Sequence, residues 1–167
     1  MRVLLRKIIY LFDKKTIQEH KLFLRWAFIN ICALMFFILM GLSGFFHGVH
    51  GPPLVAAAIA LIITFLISIY IGKLYWKADT TNDAEVLLHA SGRAFFTVAV
   101  LQIIGMLGAM FGYREITQAT DTTNNSQAIH IATLGLGNGL TATIIGVLCS
   151  IFIGLLHFEL EHSLTKP

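Results

Sequence analysis

Charge is scarce in this chain: 13% of its 167 residues are charged, while 56% are hydrophobic. That balance excludes a soluble domain with a large core and points to a membrane protein. The net charge of +3 comes mostly from the flank ahead of the first apolar segment, so no nucleic-acid partner is implied. Cysteine is scarce too. Cys32 and Cys149 fall in different apolar segments, where they are expected to pack as small hydrophobes and not to form a disulfide. The most telling absence is local: no Asp, Glu, Lys, Arg or His lies between Ile131 and Leu156. Whatever that stretch assists, it does not carry the charge itself.

What is present is length and apolarity. Four segments run roughly from Ala27 to Phe46, Leu54 to Gly72, Phe95 to Phe111 and Ile129 to Leu156, each near the ~20 residues that cross a hydrocarbon core. Lipid offers no partner to a backbone amide, so each segment is expected to be helical. The expected fold is therefore all-α, a polytopic membrane protein of four transmembrane helices.

Basic residues set the expected orientation. Arg2, Arg6, Lys7, Lys14, Lys15, Lys21 and Arg25 precede the first span, Lys73, Lys77 and Arg93 bracket the second connection, and Lys166 lies near the end of the chain. Only Arg114 falls on the opposite side. The asymmetry places both termini in the cytoplasm. Residues 1–25 do not read as a signal peptide, because Asp13, Lys14 and Lys15 interrupt the apolar run. Leu4, Ile8, Leu11 and Phe12 lie opposite Arg6, Lys7 and Lys14, the pattern of an amphipathic helix on an anionic inner leaflet. A basic tail that serves topology alone is the plainer alternative.

The chain divides into that N-terminal segment (1–25), a first hairpin (26–76), a short cytoplasmic connection (77–92) and a second hairpin with a helical extension (93–167). Pro52 and Pro53 can open the second helix after a tight outer turn. Asp79 to Asp83 reads as a turn ahead of a helix start near Ala84. The first hairpin is bulky, with Phe28, Phe36, Phe37, Phe45, Phe65 and Tyr70 suited to a periphery. The second is rich in glycine, with small-residue pairs four apart at Gly108/Gly112 and Gly135/Gly139. It should be the closely packed, inner pair.

On the last span, Gly139, Thr143, Gly146 and Ser150 share one helix face, and Asn138, Thr141 and Cys149 form an adjoining stripe. One reading is a seam facing a pore or partner, with Thr143 offering a hydrogen bond. The other is that the hydroxyls bond back to carbonyls of their own helix while glycines permit packing.

Gln102 to Gly112 on span three, with glycines at 105, 108 and 112, and Gly139-Leu140-Thr141-Ala142-Thr143-Ile144-Ile145-Gly146 on span four together resemble the MotA/TolQ/ExbB proton-channel family. Four spans with both termini inside is most similar to the MotA branch. The resemblance implies an ion-channel-forming subunit of an ion-motive-force-driven motor in a bacterial inner membrane. It implies a homo-oligomer, a pentamer in that family, around two copies of a single-span partner that carries a membrane aspartate. Thr143 matches the family's channel threonine, with Ser150, Asn138 and Thr141 as further polar candidates along the ion path. Gly105, Gly108, Gly112, Gly139 and Gly146 would provide close approach or line the pore. Gln102 stands where a proline is common, and Phe152 where another is. The family's large cytoplasmic insertion is missing, which points away from flagellar rotation.

Such a subunit is not an enzyme and needs no cofactor. Two other readings stay open. His47, His89, His130 and His157 lie near span ends, where a four-helix membrane cytochrome could place haem ligands; a structural or assembly subunit needs neither haem nor ions. Glu115 and Asp121 could collect cations at an outer mouth or merely be solvated loop charges.

Overall fold

A chain inside lipid must close its own backbone hydrogen bonds, and the four apolar segments do so as helices. The computed structural model describes residues 20–45, 49–80, 84–119 and 125–165. They form α1 (Lys21–Leu42), α2 (Gly51–Thr80), α3 (Ala84–Ala119) and α4 (Asn125–Thr165). All four are long and apolar enough to cross a membrane. The protein is an all-α, multi-pass membrane protein.

The helices outrun the hydrophobic segments. α2 continues to Thr80 and α3 resumes at Ala84, so most of the polar stretch expected as a connection over 77–92 is helix. The same holds at the opposite end, where α3 runs on to Ala119 and α4 begins at Asn125. Glu85 in the first turn of α3 suits the positive end of the helix dipole. At the start of α2, Gly51 takes φ +66°, a conformation glycine reaches without strain, and Pro52 and Pro53 follow as the first turn. The amphipathic segment expected over 1–25 lies outside the described residues, except that Lys21 to Arg25 belong to α1.

α3 and α4 make the closest pair, and α2 packs across both. α2 contributes a small-residue face, burying Ala56, Ala57, Ala60, Thr64 and Ser68 in its first half and Ile71, Leu74 and Tyr75 in its second. Against these lie Leu101 of α3 and Ile145, Cys149, Ile153, Leu156 and Leu160 of α4. α1 is peripheral and has no buried residue. Phe28, Phe36, Phe65 and Tyr70 are exposed, while Phe37 and Phe45 lean on the core.

α1 is held chiefly at one end of the bundle, the end that also carries Lys73, Lys77 and Arg93. There the Asp79 carboxylate, from the last turn of α2, accepts the backbone N–H groups of Leu22 (3.1 Å) and Phe23 (2.9 Å). These amides have no partner in their own helix, so Asp79 caps α1 from another helix. Asp79 is thus helical and not part of the expected turn. Arg25 pairs with Glu159 of α4 at 2.8 Å, and the Trp26 indole donates to the Ser68 carbonyl at 3.1 Å with its ring over Gly72. Further in, Ser68 Oγ donates to Asn30 Oδ1 at 2.5 Å, and Asn30 Nδ2 donates to the Trp26 carbonyl at 2.8 Å. Trp26, Asn30 and Ser68 are therefore linked by hydrogen bonds where α1 meets α2.

Candidate functional site

The contact between α3 and α4 is made by glycine. A Cβ on Gly146 would stand 2.7 Å from the Gly105 Cα and 2.8 Å from the Leu101 carbonyl oxygen. One on Gly112 would meet the backbone of Gly135 and stand 2.7 Å from the Gly139 Cα and amide nitrogen. One on Gly108 would strike the Ala142 Cβ and come within 3.3 Å of the Ala56 Cβ on α2. Gly105, Gly108, Gly112, Gly139 and Gly146 thus bring backbone against backbone, as small residues do in membrane bundles. Their contacts lie within this one chain.

Thr143 sits at the edge of that contact, half-buried. Its Oγ1 lies 3.0 Å from the Gly139 carbonyl oxygen of its own helix and 3.4 Å from the Gly105 carbonyl oxygen of α3. One hydroxyl proton serves both carbonyls, and the oxygen lone pairs remain as acceptors. Beside it opens a groove of about 260 Å³ between the two helices, lined by Ala109, Tyr113, Ile116, Leu136, Leu140 and Thr143. The glycines set how near the two backbones come, and Thr143 supplies a hydroxyl on the groove wall.

The other polar candidates go elsewhere. Thr141 is buried and donates to the Gly137 carbonyl at 2.9 Å, well round the helix from Thr143. Ser150 continues the Thr143 edge but is only 1% exposed, inside the helix contact, and donates to the Val147 carbonyl at 2.8 Å. Asn138 is buried on another face and donates through Nδ2 to Glu115 Oε2 at 3.0 Å. The four sequence candidates therefore do not converge, and Thr143 alone reaches the groove.

Glu115 is helical, half-buried and bonded to Asn138, which differs from a solvated loop charge; Asp121 lies outside the described residues. Sequence reasoning missed the Glu115–Asn138 pair because its partners are 23 residues apart. Among the histidines, His47 lies outside the described residues, while His89 and His130 are exposed. The His157 ring lies 4.8 Å from the Phe95 ring, and its Nε2 lies 3.7 Å from Glu161. Among the described residues no three His, Cys, Asp or Glu side chains gather as metal ligands would.

Gln102 reads from the sequence only as a substitute for proline, yet on α3 it is an exposed polar side chain. On a helix, Gln102, Ala109, Tyr113 and Ile116 share a stripe, at spacings of seven, four and three, and the last three line the groove. Compared with known proteins, the chain matches no family model, no curated protein and no solved structure.

Proposed function

We propose that this protein is the channel-forming subunit of an ion-motive-force-driven membrane motor, conducting protons or sodium ions along its contact with a partner that carries a transmembrane aspartate. One observation carries the reading: the Thr143 hydroxyl stands on an open groove beside a glycine-packed helix pair, in spans that have no acid of their own between Arg93 and Arg114 or between His130 and His157. A charge in mid-bilayer is tolerated where water or a hydrogen-bonding group compensates it. This chain offers the compensating hydroxyl and space, and lacks the titrating group. That division suits two components, one fixed and one carrying the acid.

In this reading the end with Arg25, Lys73, Lys77 and Arg93 is cytoplasmic in a bacterial inner membrane. The subunit is a homo-oligomer, a pentamer by resemblance, that encloses two copies of the partner's helix. α3 and α4 face the centre and α1 the lipid, in keeping with the exposed aromatic surface of α1 and the glycine contact of the other pair.

The test is to purify the oligomer in mild detergent, identify co-purifying single-span proteins, and measure ion flux after reconstitution. The expected result is a partner with a membrane aspartate and flux that depends on it. A homogeneous oligomer with no such partner, or flux indifferent to that aspartate, overturns the reading.

A further inference from the structure

We infer that Gln102 is the second polar contact for the partner's carboxyl group, one helical turn from Thr143 on the same open side of the α3–α4 pair. The inference rests on the proposed function and adds the residue that recognises the acid.

Depth comes first. Gln102 lies nine residues after Arg93 and twelve before Arg114, about 14 and 18 Å along the helix from the charges that bound the span. That is close to mid-bilayer. Its side chain is exposed and makes no hydrogen bond to another described residue. An unpaired amide in hydrocarbon is costly, and polar groups at such depth mark contacts with other helices or with ions.

Direction comes next. Gln102 shares its stripe with Ala109, Tyr113 and Ile116, which line the groove with Thr143. Thr143 Oγ1 lies 3.4 Å from the Gly105 carbonyl oxygen, and Gly105 is three residues from Gln102. The amide is therefore offset from Thr143 by about 4.5 Å along the axis, toward the Arg93 end.

Chemistry selects the occupant. A primary amide has two N–H donors and a carbonyl acceptor, so it donates to a carboxylate and accepts from a carboxylic acid. It holds a titrating carboxyl in both protonation states. The Thr143 hydroxyl, whose proton is engaged by carbonyls, complements it as an acceptor for the protonated form. A second copy of this chain fits less well. The exposed mid-span positions of α1, α2 and α4 carry hydrocarbon side chains, the Cys32 thiol or the Met35 thioether, so a copy offers Gln102 its own amide or a Thr143 hydroxyl whose proton is already engaged by carbonyls, and no carboxyl group.

The experiment uses the full chain in liposomes with a fluorescent, leucine-rich transmembrane peptide that carries one central Asp, and its all-leucine counterpart. Association is read by energy transfer. The wild type is expected to bind the Asp peptide more tightly than the leucine peptide by roughly three- to tenfold, the range for one interhelical hydrogen bond in lipid. Q102L should erase that preference, and Q102N should keep part of it. Because Gln102 faces outward, Leu crowds nothing, and an unchanged oligomer size checks the fold. Equal binding of the two peptides by the wild type overturns the inference, as does a preference that survives in Q102L. A change of oligomer size in Q102L with the preference intact assigns Gln102 to self-contact and also overturns it. If Gln102 selects the Asp peptide but no ion flux accompanies it, the channel reading fails while the contact stands.

Discussion

The phenol of Tyr75 donates to the backbone carbonyl of Leu156 at 2.8 Å, and neither residue has any exposed surface. The bond joins α2 to α4 near the end where α1 is also held. Tyr75→Phe keeps the ring and removes only the donor. The expected loss is about 1 kcal/mol of stability, the net worth of a typical intramolecular hydrogen bond. It should read as a lower midpoint in detergent-induced unfolding. An unchanged midpoint means the contact does not hold α2 on α4.

Glycine at the α3–α4 contact is expected to be irreplaceable at some positions and not at others. A Cβ on Gly112 would meet the backbone of Gly135 and Gly139, whereas Gly137 has nothing within 4 Å of where its Cβ would stand. Backbone cannot rotate away as a side chain can. Gly112→Ala should therefore cost about 1–3 kcal/mol through overpacking, while Gly137→Ala should be neutral or stabilising by up to ~1 kcal/mol through helix propensity. Thermal denaturation of the two variants side by side decides it, and equal midpoints would contradict the close contact.

Much of this architecture is legible in the chain, and the division between what is and what is not has a physical basis. Hydropathy marks four spans because lipid leaves the backbone no alternative to helix. The Gly139, Thr143, Gly146 and Ser150 edge is legible because helical periodicity is local. Helix ends are less so: residues such as Asp79 and Glu115 are polar whether they stand in a loop or in a helix that has left the membrane. Pairings are the least legible. Asp79 caps amides 56 and 57 residues away, and nothing in its neighbours says so. Exposure is equally hidden, which is why Gln102 reads from sequence as a missing proline while on the helix it is an amide without cover.

Asp79 itself gives the next expectation. Its two carboxylate oxygens accept the Leu22 and Phe23 N–H groups, so Asp79→Ala leaves the start of α1 uncapped, a loss of about 1 kcal/mol by analogy with N-cap removal. Arg25→Ala should cost less, since the Arg25–Glu159 pair is half-exposed on the arginine side and exposed ion pairs contribute about 0–1 kcal/mol. Limited proteolysis near residue 20 should quicken more in Asp79→Ala than in Arg25→Ala. The reverse order would mean the ion pair, not the cap, anchors α1.

Thr143 separates packing from function. Thr143→Val keeps the branched shape and the half-buried volume but removes the hydroxyl that lies between the Gly139 and Gly105 carbonyls. Both carbonyls belong to helices, so the oligomer should assemble as before. If the hydroxyl oxygen accepts a hydrogen bond from the protonated acid in the groove, ion flux should fall by roughly three- to tenfold, matching about 0.5–1.5 kcal/mol for a hydrogen bond between neutral groups. Thr143→Ser restores the oxygen without the methyl and should recover most of the flux. A packing role predicts the opposite ranking, because serine leaves a gap that valine fills. Flux measured in reconstituted complexes of both variants therefore distinguishes the two, and full activity in Thr143→Val would remove the hydroxyl from the ion path.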